Sequence, residues 1–418
     1  LQQSPGLSRN TRSRFWRYTP ASSGAAASQA SPVGTSKSNG RLYGKREFGA
    51  TEPSPLVKAV SHSSRGFFLF LASNEHQPEP ITIPREFLRA ACYSCREVSA
   101  ANASSRGRSP ADVDLSVSLG ALRLRNPILA ASGTFGYGTE FAHLVNLNRL
   151  GGFVTKGLSR EPIVGAPPPR LCDTPSGMLN AIGLQNVGVQ AFVREKLPVL
   201  RKFDTAVVAN VFGYCIEDYL EVIRVLEDAE GLAAYELNVS CPNVKKGGLQ
   251  FGNDPVQVKE VTEAARKAAA KRPLWVKLSP LVADIGVIAR AAEEAGADAL
   301  TIANTYPAMA VDYTTGRSRL GNPTGGLSGP AIKPITLRQV WEARRAVKIS
   351  ILGLGGIETA ADVLDYLVVG ATAVQVGTAS FTDPKVSERL PEEVREALFD
   401  IKMFTVNEIR GIFRAENG

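Results

Sequence analysis

Along the last three quarters of the chain, short apolar runs alternate with stretches whose apolar positions recur every three or four residues. The runs are Pro127–Ala131 (PILAA), Gly152–Thr155 (GFVT), Ala206–Asn210 (AVVAN), Ala234–Leu237 (AYEL), Leu274–Leu278 (LWVKL), Ala299–Ala303 (ALTIA), Ile349–Leu352 and Ala373–Val376 (AVQV). Between them lie amphipathic segments such as Pro255–Ala270 and Ile285–Ala295. Continuous apolar strands separated by helices predict a parallel sheet covered on both faces. Eight such units predict an α/β fold, a (β/α)8 TIM barrel. A doubly wound open sheet is the runner-up, but it normally carries a GxGxxG turn after its first strand, and Ser132–Gly138 (SGTFGYG) lacks that spacing. A further pair of short runs, Leu115–Leu124 (LSVSLGALRL), predicts a hairpin across the bottom of the barrel.

Residues 1–110 show no such period. They are rich in Ser, Ala, Arg and Gly, contain no aspartate, and predict a disordered tail or a non-native extension ahead of a barrel domain at 111–418. An Arg- and Ser-rich, acid-poor segment also suits an organelle transit sequence, which is the alternative to a cytoplasmic location. The chain's formal charge of +8 resides there: residues 1–110 hold 15 Lys and Arg against 6 Glu, leaving 33 basic against 34 acidic residues in the remainder. A near-neutral barrel carries no electrostatic footprint for nucleic acid. The longest apolar run, Gly66–Ala72, is too short to span a bilayer. Five cysteines are an odd number for a disulfide framework and suit a reducing compartment. Cys92 and Cys95 form a lone CxxC without a second ligand pair, so no metal site is expected.

In a barrel of this kind chemistry sits at the C-terminal strand ends. Those ends carry ASGTFGYG, Lys156, Asn210, Asn238 with Cys241 and Asn243 beyond it, Lys277, Asn304–Thr305, GLGG at Gly353–Gly356, and VGTA at Val376–Ala379. Cysteines in polar loops are candidates for chemistry, whereas buried ones are ordinarily inert; Cys172 and Cys215 are read as structural. A lysine inside an apolar strand, as Lys277 is, needs an anion or dipole beside it. No aspartate or glutamate stands in an obvious catalytic position. Of the three histidines, His62 and His76 lie in the tail and His143 in a helix-like stretch, which disfavours His-assisted hydrolysis and His-ligated metal. Glycine loops after the last two strands form the usual phosphate site of such barrels, here Gly355, Gly356, Gly377 and Thr378, with Gly325–Pro334 as a third glycine loop. Lysines and neutral amides around a phosphate loop suit a flat heterocycle with an anionic reduced form, which describes flavin mononucleotide, FMN.

The ordered series ASGTFGYG, TKGLSREPIVGAPPPRL, MLNAIGLQNVG, ELNVSCPNVKKGG, VKLSP, GGLSGPAIKP, GLGGI and VQVGTA, over about residues 112–385, resembles the class 1 dihydroorotate dehydrogenases. NAIGLQN and the stretch NVKKGG…FGND make subclass 1B the nearest in likeness. The resemblance implies an FMN barrel that oxidises (S)-dihydroorotate to orotate in pyrimidine biosynthesis. It also implies electron transfer to NAD+ through a separate iron–sulfur flavoprotein subunit bearing FAD and a [2Fe–2S] cluster. A homodimer of barrels within a heterotetramer is implied too. By the same resemblance Cys241 is the base that takes the C5 proton while a hydride leaves C6 for the flavin. Substrate contacts fall on Lys156, Asn180, Ala181, Ile182, Gly183, Leu184, Asn238, Asn243, Asn304 and Thr305. Flavin contacts fall on Ser132, Lys156, Gly157, Asn210, Asn238, Lys277, Ala303, Gly329, Gly355, Gly356, Gly377 and Thr378, with alanine at 303 where a larger residue is expected. No iron–sulfur centre is expected on this chain. The rivals are a fumarate-linked class 1A enzyme, another FMN barrel acting on dihydropyrimidines or dihydrouridine, and a barrel kept only as a binding subunit.

Overall fold

The computed structural model describes residues 107–240 and 251–414. The tail with His62, His76, Cys92 and Cys95, and the loop residues Cys241 and Asn243, lie outside the described residues.

In chain order the strands are β1 (Val117–Leu119), β2 (Leu122–Leu124), β3 (Ile128–Ala130), β4 (Gly152–Val154), β5 (Leu171–Thr174), β6 (Gly177–Asn180), β7 (Ala206–Val211), β8 (Ala234–Asn238), β9 (Leu274–Lys277), β10 (Ala299–Ile302), β11 (Tyr306–Ala308), β12 (Val311–Asp312), β13 (Arg317–Ser318), β14 (Gly325–Ser328), β15 (Ser350–Leu354) and β16 (Ala373–Val376). Eight of them, β3, β4, β7, β8, β9, β10, β15 and β16, close into a barrel in that order with every neighbouring pair parallel. These are the eight runs expected from the sequence. Their residues are almost all fully buried, because side chains pointing inward fill the barrel and those pointing outward meet the helices. Each large aliphatic side chain so buried contributes about 1.5–3 kcal/mol.

The helices form where the periodic segments lie, and their starts are chemically marked. Asp254 accepts from the Val256 amide ahead of the helix Pro255–Ala268, whose first residue is a proline that has no N–H to leave unpaired. Asp284 caps Ile285–Glu294 through the Gly286 and Val287 amides. Thr359 and Asp362 form a reciprocal capping box on Ala360–Val368.

The hairpin β1–β2 pairs Val117 with Leu124 and sits at the barrel bottom. There Ser350 Oγ, at the start of β15, donates to Ser118 O at 3.3 Å, and the turn residue Gly120 packs against Asp298 just ahead of β10. At the opposite end lies a feature absent from the sequence expectation: a four-stranded antiparallel sheet, β11–β14–β6–β5. The stretch Gly325–Ser328, expected as part of a glycine loop, is a strand of this sheet, with Gly326 opposite Asn180 and Leu327 opposite Tyr306. The turn begins only at Gly329, whose φ of 94° suits glycine. The helix-like segment around His143 is a run of turns, and His143 is exposed.

Candidate active site

A cavity of about 380 Å³ opens at the C-terminal strand ends under the four-stranded sheet. Its lining includes every sequence-nominated residue within the described part of the chain. Ser132, Lys156, Gly157, Asn210, Asn238, Lys277, Ala303, Asn304 and Thr305 arrive from the strand ends. Asn180, Ala181, Ile182, Gly183 and Leu184 come from β6 and the loop after it, and Gly329, Gly355, Gly356, Gly377 and Thr378 from the glycine-rich turns. Cys172, in β5 of the mouth sheet, is buried with Leu179, Ala181 and Leu320 and does not line the cavity. Cys215 is exposed at the N-cap of the helix Ile216–Glu227, where its backbone N–H donates to Asp218 Oδ2 at 3.3 Å.

The glycine end of the cavity is built to meet an anion with neutral donors. The backbone N–H groups of Gly355, Gly356, Gly377 and Thr378 donate to nothing among the described residues. Thr378 Oγ1 donates to Ser328 Oγ at 2.7 Å, joining the last strand end to β14. Tyr366 Oη donates to Gly355 O at 2.7 Å and shares a short contact with Thr336 Oγ1, which holds the turn from behind. Burial pushes the Tyr366 phenol well above its ordinary value, so it remains a donor.

The polar end is made of amides. Asn180 Nδ2 donates to Gly326 O at 3.2 Å, Asn304 Nδ2 to Ser240 Oγ at 2.6 Å, and Ser240 Oγ to Asn238 Oδ1 at 2.7 Å. The loop 181–188 is held in an uncommon shape. Leu184 has a φ of 59°, and its carbonyl accepts from Asn186 Nδ2 at 2.9 Å. A non-glycine residue there stores strain, as residues at binding loops often do. Lys156 is half-buried, with Nζ 3.5 Å from Gln185 Oε1. Burial, and then the Arg170 charge, lower its pKa below the ordinary lysine value. Lys277 is 4% exposed, and burial lowers its pKa while the charge of Glu236 opposes that shift.

Two features fit the residues to a flavin. The Asn210 amide sits at the cavity edge with its Nδ2 committed to Glu236, while its Oδ1 is buried without a partner and so lacks a donor. A flavin ring carries one imide N–H of the kind this atom requires. The free N–H groups at the glycine end suit the flavin's phosphate.

The sequence profile of the dihydroorotate dehydrogenases matches residues 114–398. The chain belongs to the dihydroorotate dehydrogenase family. A putative dihydroorotate dehydrogenase A (fumarate) from Solibacter usitatus is 59% identical over 284 residues, covering 68% of this chain and 93% of the relative. The catalytic subunit of a dihydroorotate dehydrogenase B (NAD(+)) from Trichlorobacter lovleyi is 51% identical over 297 residues, 71% of this chain and 97% of that protein. The corresponding subunit from Thermodesulfovibrio yellowstonii is 48% identical over 300 residues, 72% and 99% respectively. The chain is thus an oxidoreductase of this family, and its likeness to the NAD+-linked catalytic subunits is borne out by relatives of that name.

The sequence reading passed over one group, Glu236, which lies wholly buried beneath the cavity and bonds to Asn210, Thr301 and Gln375. A carboxylate inside the apolar run AYELN was the available signal. Among the described residues no helix is long and apolar enough to cross a membrane, and no three His, Cys, Asp or Glu side chains gather as a metal site.

Proposed function

We propose that the chain oxidises (S)-dihydroorotate to orotate as a step of pyrimidine biosynthesis, with residues 111–418 as the catalytic domain. The observation that carries this reading is one cavity with a cradle of free backbone N–H groups at one end and amides at the other. When bound, FMN accepts the hydride that leaves C6. Cys241 takes the proton from C5, so the C5–C6 bond becomes double and orotate is formed. Support for that base comes from sequence order: Cys241 directly follows Ser240, which is tied to Asn238 and Asn304 at the cavity. Asn180, Asn238, Asn304 and Thr305, with Asn243, pair the polar edge of the ring and its carboxylate, and Lys156 supplies a positive charge to that carboxylate. A site that pairs every polar atom rejects analogues lacking one. Lys277 faces the flavin and favours charge developing there on reduction.

In this reading electrons leave to NAD+ through a partner subunit that carries FAD and a [2Fe–2S] cluster, the barrels pair as a homodimer within a heterotetramer, and the assembly works in the cytoplasm. The names of the NAD(+) relatives support that acceptor. A second reading, fumarate as acceptor for the chain alone, is favoured by the 59% identity to the putative fumarate enzyme.

The test is anaerobic. The purified chain is loaded with FMN and mixed with dihydroorotate while the flavin absorbance is followed. Bleaching is expected; a yellow protein that does not bleach rejects the substrate. Reoxidation by fumarate without a partner selects the second acceptor, and reoxidation by NAD+ only with the partner selects the first.

A further inference from the structure

Glu236 belongs to none of the groups assigned above. It lies in the barrel core, wholly buried, where an unpaired carboxylate would be expelled or neutralised. Its oxygens instead accept three hydrogen bonds. Asn210 Nδ2 donates to Oε1 at 2.8 Å; Thr301 Oγ1 and Gln375 Nε2 donate to Oε2 at 2.8 and 2.5 Å. Thr301 and Gln375 come from β10 and β16, and β16 stands diametrically opposite β8, so the contacts span the barrel. A carboxylate only accepts, so the Asn210 amide must present its NH2 to Glu236 and turn its Oδ1 the other way. That Oδ1 is the buried atom left without a partner at the cavity edge, within 3.0 Å of where a Cβ on the cavity residue Gly157 would lie.

We infer that Glu236 is a positioning residue for the flavin: it fixes the Asn210 amide so that Oδ1 receives the ring's imide N–H, and it sets a negative charge beneath the ring beside Lys277. The inference rests on the FMN reading proposed above. The lowered proton affinity of Lys277, offset by Glu236, agrees with a charge coupling between the two.

The two roles separate by substitution. Glu236→Gln keeps an acceptor for Asn210 and removes the charge. Gln375, whose Oε1 has no partner, can turn its amide over if Thr301, which accepts from its Nε2 at 3.2 Å, donates to it instead. Glu236→Asp keeps the charge but is one methylene too short to hold Asn210. The full-length wild type and both variants are titrated with FMN by flavin fluorescence and then reduced in a spectroelectrochemical cell. Glu236→Gln is expected to bind FMN within about threefold of wild type and to show a more positive midpoint potential, because an anionic reduced ring no longer faces a negative charge. Glu236→Asp is expected to lose about tenfold in FMN affinity, the worth of one hydrogen bond, with a potential near that of wild type.

A Glu236→Gln potential equal to that of wild type, or wild-type affinity in Glu236→Asp, overturns the inference. If Glu236→Gln does not fold, Glu236→Asp alone decides. Failure of both variants to fold beside an intact wild type marks Glu236 as purely structural and also overturns it. A wild-type chain that takes up no FMN fails before any variant is compared, and rejects the flavin reading together with this one.

Discussion

Asn304 and Ser240 are joined by a 2.6 Å hydrogen bond from the amide Nδ2 to the hydroxyl Oγ, and that hydroxyl in turn donates to Asn238. The end of β8 is thereby tied to the segment after β10, one residue before Cys241. Ser240→Ala removes both bonds. Flavin reduction by dihydroorotate should slow about tenfold in stopped-flow mixing, the worth of about 1.4 kcal/mol, with FMN content unchanged. Cys241→Ala should slow the same step by about 10²–10⁴, the usual span for a lost general base. Wild-type rates in Ser240→Ala would mean that the tie does not govern the base.

Lys156 is expected to give orotate binding a pH dependence. Burial, with Arg170 nearby, lowers its pKa, so the ammonium is lost at a pH below that of an ordinary lysine. Affinity for orotate, a carboxylate, should therefore weaken as pH rises through that lowered value, and be fully present below it. Lys156→Arg, which stays charged, should remove the alkaline limb. The reduction rate should move in the opposite sense, rising with pH as the Cys241 thiolate forms, an ordinary thiol having a pKa of about 8.5. Equilibrium titration of the flavin spectrum with orotate across alkaline pH, set beside stopped-flow rates, separates the two. An affinity that does not fall toward alkaline pH would remove Lys156 from the carboxylate.

Gly326 in β14 lies against Thr305: a Cβ there would sit 2.0 Å from Thr305 Oγ1 and 2.7 Å from its Cβ. Gly326→Ala must displace the threonine from the polar end of the cavity. Orotate affinity is expected to drop by about tenfold or more, as for a lost hydrogen-bonding group, while FMN binding holds. Gly316→Ala, in the turn between β12 and β13, has nothing within 4 Å of the added carbon but a φ of 66°, so it controls for backbone strain away from the cavity and should bind orotate normally. Equal behaviour of the two variants would exclude Thr305 from substrate binding.

In the glycine turn after β15, Gly356 has a φ of 65°, and an added Cβ would fall 2.8 Å from Lys333 Cβ and 2.9 Å from Gly329 O. Lys333 cannot yield easily, because its ammonium is paired with Asp362 and with Asp365. Gly356→Ala should give a folded but colourless protein, read as FMN content after purification. Full flavin occupancy would show that the phosphate lies elsewhere.

The barrel is legible in the sequence because its signal is local. Each strand is a run of apolar residues buried on both faces, and each helix repeats its apolar positions, so order and type can be read one window at a time. The strand ends follow from the fold, which is why Lys156, Asn210, Asn238, Lys277 and the glycine turns were nominated without knowing their neighbours. Other features depend on partners distant in the chain. The mouth-sheet strands are no shorter than several barrel strands, but they are only partly buried and carry polar residues, proline or glycine, so no apolar run marks them, and Gly325–Ser328 reads as a loop until Asn180 and Tyr306 are beside it. Glu236 makes the contrast plainest: its charge within AYELN marks an anomaly in the sequence, but only closure of the barrel brings Gln375, 139 residues away, across to meet it. Periodic burial is a property of neighbouring residues, whereas satisfying a buried charge requires groups that only the tertiary fold assembles.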